Sequence, residues 1–344
     1  MNICAIHIGF PKTGSTWLQN IFLPQLTSVS AFGKNPLDLH SHNLVGKLLA
    51  ADEFEFDADQ YRAEIEGHIN SHPQIYGDRP IILTHEYLSG GEYDGYGAAQ
   101  LAQRLRRVFG QTRVIITIRE QSSAIESLYR HYIRHGGHLN IQQFLFNVSS
   151  PCVDENMTPR LLQKYKYSNI VKYYMNIFGR QNVHVVIFEK FKDGPGEVAK
   201  HYMNAMNNDE DMSSVDFSTR ENAGISYWCA WVARLINNWV WTPYHETMLP
   251  SFIRWTGHQW LAAKVILPLN SLMPRTSKRF VDQPIRDLLV RNVKKALGRK
   301  NPNDDKRIKE FMDEYFAQSN KELSDLIGTD LSKFGYAMPE IKNH

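Results

Sequence analysis

The chain has 344 residues and 42% hydrophobic content, enough for one large α/β core or two modest ones. A net charge of +3 and a pI near 8.6, without a long Lys/Arg run, suit a small anionic ligand and argue against a nucleic-acid partner. Cys4, Cys152 and Cys229 lie far apart without metal-ligand spacing, so they read as reduced thiols, with Cys4 in a strand core. No apolar run reaches the ~18 residues of a spanning helix, and a strand begins almost at Met1 with no leader before it, so the expectation is a cytoplasmic protein.

Residues 2–8 are short, apolar and β-branched, the pattern of a strand buried on both faces. Gly9 and Gly14 follow with the G-x-x-x-x-G spacing of a nucleotide phosphate loop. Ser15 stands where a Walker loop has its lysine, and the loop's cation is Lys12. Residues 16–23 continue as a helix that Pro24 should stop. Strand, glycine turn and helix together point backbone N–H groups at an anion. A plain βα turn with a chance lysine is the competing reading.

Residues 29–32 read as a short strand or an irregular connection. Residues 37–56 show no clean period; His40 and His42 are read there as loop or acceptor-side surface in preference to metal ligands. A helix is expected over 57–70, a strand over 79–85, a glycine-rich loop at 90–97 and a helix over 98–109. The strand at 112–118 runs into Arg119, and the next helix stops at Gly136-Gly137. A helix over 161–178, a strand over 182–188, a turn at 193–196 and a helix over 197–206 complete the pattern. The alternation implies a parallel, doubly wound sheet of P-loop NTPase-like type, helices on both faces, its ligand beyond the strand C-termini. The best strands lead into Lys12, His85-Glu86 and Arg119, so charged groups should collect at one edge.

The chain reads as one domain: an α/β core over 1–206, a Trp-rich insertion or lid over 207–280, and C-terminal helices over 281–344. Amphipathic helices are expected at 280–297 and 306–326. Six of the seven tryptophans fall within 225–274. Core or homodimer contact is the default for that stretch, an acceptor lid is next, and membrane-surface contact is third.

Pro11-Lys12-Thr13-Gly14-Ser15-Thr16-Trp17 resembles the 5′-phosphosulfate loop of sulfotransferases that use 3′-phosphoadenosine-5′-phosphosulfate (PAPS). Arg119 followed eight residues later by Ser127 is similar to that family's 3′-phosphate pair, while Ser123 reads as ordinary helix-start chemistry. A looser likeness runs from Tyr167 through Phe178 to Glu189, and Ser319-Asn320 with Gly335-Tyr336 is similar to the tail of many bacterial members. The family's C-terminal R-K-G element is not recognisable; Arg275, Lys278 and Arg279 are a weak stand-in.

The resemblance implies a bacterial PAPS-dependent sulfotransferase that releases PAP and requires no metal. Its sulfuryl acceptor would be a small-molecule or glycan hydroxyl, on a carbohydrate or glycolipid. Lys12, Thr13, Gly14, Ser15 and Thr16 would hold the 5′ side, Arg119 and Ser127 the 3′-phosphate, and Trp17 the adenine or the helix core. Thr84-His85 resembles the Thr-His of the cytosolic enzymes, with Leu83 in place of their lysine. His85 is favoured as base because an imidazole near neutrality is well poised, and Glu86 is the rival. His7 is read as structural. The runner-up is a P-loop small-molecule kinase, weakened by the missing Walker lysine and metal carboxylate.

Overall fold

The computed structural model describes residues 1–147, 160–219 and 306–340, together with Ala230, Trp231, Ala233, Arg234 and Asn237. The Trp-rich stretch (apart from Trp231), the 280–297 helix, the stand-in cations near 275–279, Cys152 and Cys229 lie outside the described residues. Five strands form one parallel sheet: β1 (Ile3–Gly9), β2 (Ser30–Gly33), β3 (Ile81–Thr84), β4 (Arg113–Ile118) and β5 (Val183–Ile187), in the order β2-β3-β1-β4-β5. The fold is α/β, P-loop-like, with helices flanking the sheet. Residues 29–32 thus resolve into an edge strand. Every residue of β3 is buried, as are all but Arg113 of β4, which is what unbroken apolar runs require between two helical layers.

Because all pairs are parallel, every strand C-terminus emerges at one edge. A buried polar strut fixes that edge. His7 Nδ1 lies 2.9 Å from Thr84 Oγ1 on β3 and His7 Nε2 lies 3.0 Å from Thr117 Oγ1 on β4. Gln19 Nε2 donates to Thr84, and Thr117 meets the Tyr202 hydroxyl at 2.7 Å. Burial pushes the His7 imidazole down to about 3, so it stays neutral, as a structural histidine must.

Three expectations change. The helix after the loop is α1 (Ser15–Trp17), a π turn (Leu18–Phe22) and a 3-10 turn (Leu23–Gln25); Pro24 sits inside that last turn, where a missing N–H costs nothing. The patternless stretch after residue 37 contains a true helix, α2 (Leu39–Ala50). Asp38 nucleates it by accepting from His40 N and Ser41 N, and Leu44, Val45 and Leu48 form its narrow buried stripe. The helix expected over 161–178 is two, α7 (Arg160–Lys164) and α8 (Tyr167–Phe178), because Lys166 leaves helical geometry while Lys164 and Tyr165 turn inward and are buried. The remaining helices follow expectation: α3 (Ala58–Asn70) capped by Asp57, α4 (Ala98–Phe109), α5 (Gln121–Arg134), α9 (Pro195–Met206) and the long Lys306–Ile327 helix; α6 (Ile141–Asn147) was not anticipated.

The chain divides into two compact units. The first joins residues 1–124, 152–222 and 311–344 and holds the sheet. The second joins 125–151 and 223–310. Within the second, Phe144 packs on Tyr129 and Tyr132, and Asn237 donates to the carbonyls of Ile133 and Gly137 at 2.8 Å. In the first, the segment after Lys306 returns to the end of β4: Asn320 pairs with Gln121, and Ser319 Oγ lies 2.9 Å from Ser168 Oγ.

Candidate active site at the strand edge

The loop after β1 is shaped by backbone. Lys12 has φ 68° and Gly14 φ 87°, both in the left-handed region. Lys12 pays for that conformation in strain, which such loops hold only when their surroundings fix them. The Thr13 hydroxyl donates to Phe10 O at 2.6 Å and closes the turn. Both glycines are needed for space. A Cβ on Gly9 would sit 2.4 Å from Ser15 Oγ, and one on Gly14 would sit 3.2 Å from the rings of Phe188 and Phe191. Ser15 Oγ is itself buried with no hydrogen-bond partner among the described residues. Thr16 is exposed and Lys12 half-buried.

Trp17 stacks on Phe22 at 5.3 Å and meets Phe191 edge-on at 4.9 Å, with Phe217 at 6.5 Å. Its half-buried ring therefore belongs to an aromatic cluster at the helix base.

Arg119 comes to this loop from β4. Its Nη1 donates to the Lys12 carbonyl at 3.0 Å, and its guanidinium lies 4.5 Å over the Phe188 ring. The backbone around it is braced: the Tyr167 hydroxyl donates to Arg119 O, and Glu120 N donates to Glu189 Oε1. The Tyr336 hydroxyl holds the other Glu189 oxygen, and burial raises the Glu189 carboxyl above its ordinary range. Lys12 and Arg119 therefore share one edge of the sheet. Ser127 lies further along α5, in the second unit. Ser123 N is capped by Glu120 Oε2, the helix-start role expected of it.

A second group forms at the ends of β2 and β3. Glu86 pairs with Lys34, and burial is outweighed by that cation, so the carboxyl stays below its usual range and ionised. Its other oxygen, Oε2, is buried with no hydrogen-bond partner among the described residues. His85 is 1% exposed. Its Nδ1 accepts from Tyr87 N at 3.1 Å and its Nε2 lies 3.2 Å from His42 Nδ1. Burial, with Lys34 and His42 nearby, pushes the imidazole down to about 4. Both ring nitrogens are engaged and desolvation disfavours the cation, unlike the near-neutral imidazole expected from the sequence. Lys34 and His42 were missed as partners because nothing in spacing links positions 34 and 42 to 85 and 86. The one available signal was their placement just after the short strand at 30–33.

Among the described residues no group of three or more His, Cys, Asp or Glu is arranged to hold a metal, and no helix is long and apolar enough to cross a membrane. Cys4 lies in β1, its thiol pushed up to about 11 by burial, as a strand-core residue should be.

Compared with known proteins, the chain matches no family model and no curated protein sequence. Among solved structures it is similar to a sulfotransferase from Alicyclobacillus acidocaldarius, with TM-score 0.52 and 14% identity over 97% of this chain and 99% of that one. Weaker likenesses are a sulfotransferase domain from the curacin biosynthetic pathway (TM-score 0.37, 13% identity, 64% of this chain and 79% of that one) and one from the Synechococcus PCC 7002 olefin synthase (0.35, 15%, 86% and 95%). The first of these establishes a sulfotransferase-like fold.

Proposed function

We propose that the chain is a sulfotransferase that moves a sulfuryl group from PAPS to a hydroxyl acceptor, a carbohydrate or glycolipid, by in-line displacement. The observation that carries this reading is the convergence of two cations, Lys12 in a strained anion loop and Arg119 bonded to that loop's backbone, at one sheet edge. The cradle suits a phosphosulfate: glycines keep it open, and the Ser15 hydroxyl is buried with no hydrogen-bond partner among the described residues. PAPS, when bound, supplies an activated sulfuryl group and leaves as PAP.

The residues then divide the work. Lys12 and the N–H groups of Thr13, Gly14, Ser15 and Thr16 neutralise the charge that grows on the departing 5′-phosphate. Trp17 closes the loop's far side through its aromatic cluster. Arg119 grips the 3′-phosphate. Glu86 is the better base of the two candidates. It is ionised, held by Lys34 through one oxygen, and its second oxygen has no partner among the described residues. His85 has no lone pair to spare while Tyr87 N and His42 engage it. No metal is invoked, because the sulfuryl group carries less charge than a terminal phosphoryl. A cytoplasmic setting, a homodimer and membrane contact through the Trp-rich stretch remain proposals of the same reading.

A thermal-shift titration tests it. PAP is expected to raise the melting temperature without Mg²⁺, and labelled PAPS to transfer sulfur to a hydroxyl in an acceptor screen. Stabilisation by ATP only with Mg²⁺, and none by PAP, would make the chain a kinase instead.

A further inference from the structure

The hydrogen bonds around His85 fix more than its own state. A backbone N–H can only donate, so Tyr87 N requires an unprotonated His85 Nδ1. The neutral ring then carries its proton on Nε2, which donates to His42 Nδ1 at 3.2 Å. That in turn requires the neutral His42 ring to carry its proton on its own Nε2. The two ring centroids lie 4.9 Å apart with their planes 25° from parallel. His85 is buried and His42 is exposed. His42 sits in the first turn of α2, which Asp38 anchors: beyond its two cap bonds it accepts from the Tyr76 hydroxyl and meets His68 Nε2 at 2.7 Å. The outer ring is thus fixed from both sides.

Resting on the sulfotransferase reading, we infer that His42 is an acceptor-recognition residue, its Nε2–H a fixed hydrogen-bond donor to a sugar oxygen, with His85 the positioning residue that sets its tautomer. The chain of donors runs one way: Tyr87 N–H to His85, His85 to His42, His42 to the acceptor. A sugar offers lone pairs at every hydroxyl, so a preset donor in the same strand-end cluster as the ionised Glu86 orients one hydroxyl while the carboxylate receives its proton. A stray imidazole with a free tautomer choice would give no such direction.

The tautomer is read directly from a long-range proton–nitrogen spectrum of nitrogen-15 histidine-labelled protein at about pH 8, where ordinary histidines are neutral. With 14 histidines present, His42 is assigned by the signals lost in His42→Gln. Expected is a protonated Nε2 on His42; a protonated Nδ1 there overturns the inference. The second arm uses labelled PAPS with glucose, galactose and N-acetylglucosamine as probe acceptors. His42→Ala is expected to raise the acceptor KM about three- to tenfold, the worth of one hydrogen bond, with the PAP-induced melting shift unchanged and His42→Gln partly restoring KM. An unchanged KM in His42→Ala removes His42 from acceptor recognition. A PAP shift with transfer to none of the sugars removes the sugar assignment. No PAP shift in the wild type sinks the sulfotransferase reading itself and the acceptor contact with it, while the tautomer result still decides the His85–His42 geometry.

Discussion

The loop after β1 and the cluster at the ends of β2 and β3 sit on neighbouring strands and are built by opposite means. In the loop, backbone sets the geometry: positive φ at Lys12 and Gly14, and glycines packed against Ser15 and Phe188. At the ends of β2 and β3, side chains set it, with Lys34, His42, His85 and Glu86 each fixing another. Backbone-shaped sites are written in contiguous residues, and side-chain-shaped sites are assembled from distant ones. The first kind fails where the backbone is constrained, as at Gly9 and Gly14; the second fails one partner at a time.

The sharpest way to break that contrast is at the two ends of the chemistry. Lys12→Ala should lower turnover about 10²- to 10³-fold, the scale of one lost charge-stabilising group, with PAP affinity nearly kept. Glu86→Gln should cost about 10²- to 10⁴-fold in turnover if it is the base, whereas His85→Gln should cost less and act on acceptor KM. A larger loss in His85→Gln than in Glu86→Gln would mean that the imidazole does the proton transfer after all. Arg119→Ala should weaken PAP binding about 10- to 100-fold by calorimetry with a smaller effect on the chemical step, the worth of a charge-assisted contact.

Gly14→Ala sharpens the backbone side of the comparison. It forces a Cβ into left-handed geometry and against Phe188 and Phe191, and should cost about 1–2 kcal/mol of stability in chemical denaturation. Substitutions at exposed Thr16 should cost less than about 0.5 kcal/mol.

A separate effect is one of pH. His7 and His85 are held neutral, at about 3 and about 4, below the 6.5 of a free imidazole. The unfolded chain therefore binds more protons between those values and pH 6.5, and stability falls as pH drops through that window. Melting temperature should decline as pH falls below about 6.5, and His7→Asn should flatten that decline. A melting temperature that rises on acidification would contradict both assignments.

How much was legible follows from the same contrast. The sheet, the loop and the Arg119 strand end were readable because apolar β-branched runs and glycine spacing are local signals. Residues 39–50 were not readable as a helix. Their buried stripe is only Leu44, Val45 and Leu48, and the start depends on Asp38, whose other partners, His68 and Tyr76, are 30 and 38 positions away. The break between α7 and α8 was hidden because Lys164, driven down to about 7 by burial, donates to the Gly91 and Glu92 carbonyls, a partnership no periodicity reveals.

The bracing of Arg119 has a consequence in time. Gln121 meets Asn320 across 199 positions, and Glu189 meets Tyr336 across 147. A ribosome delivers the glycine turn and β4 long before it delivers the residues that steady them. Chains halted before Asn320 carry Lys12 and Arg119 yet lack both contacts that brace the backbone around Arg119.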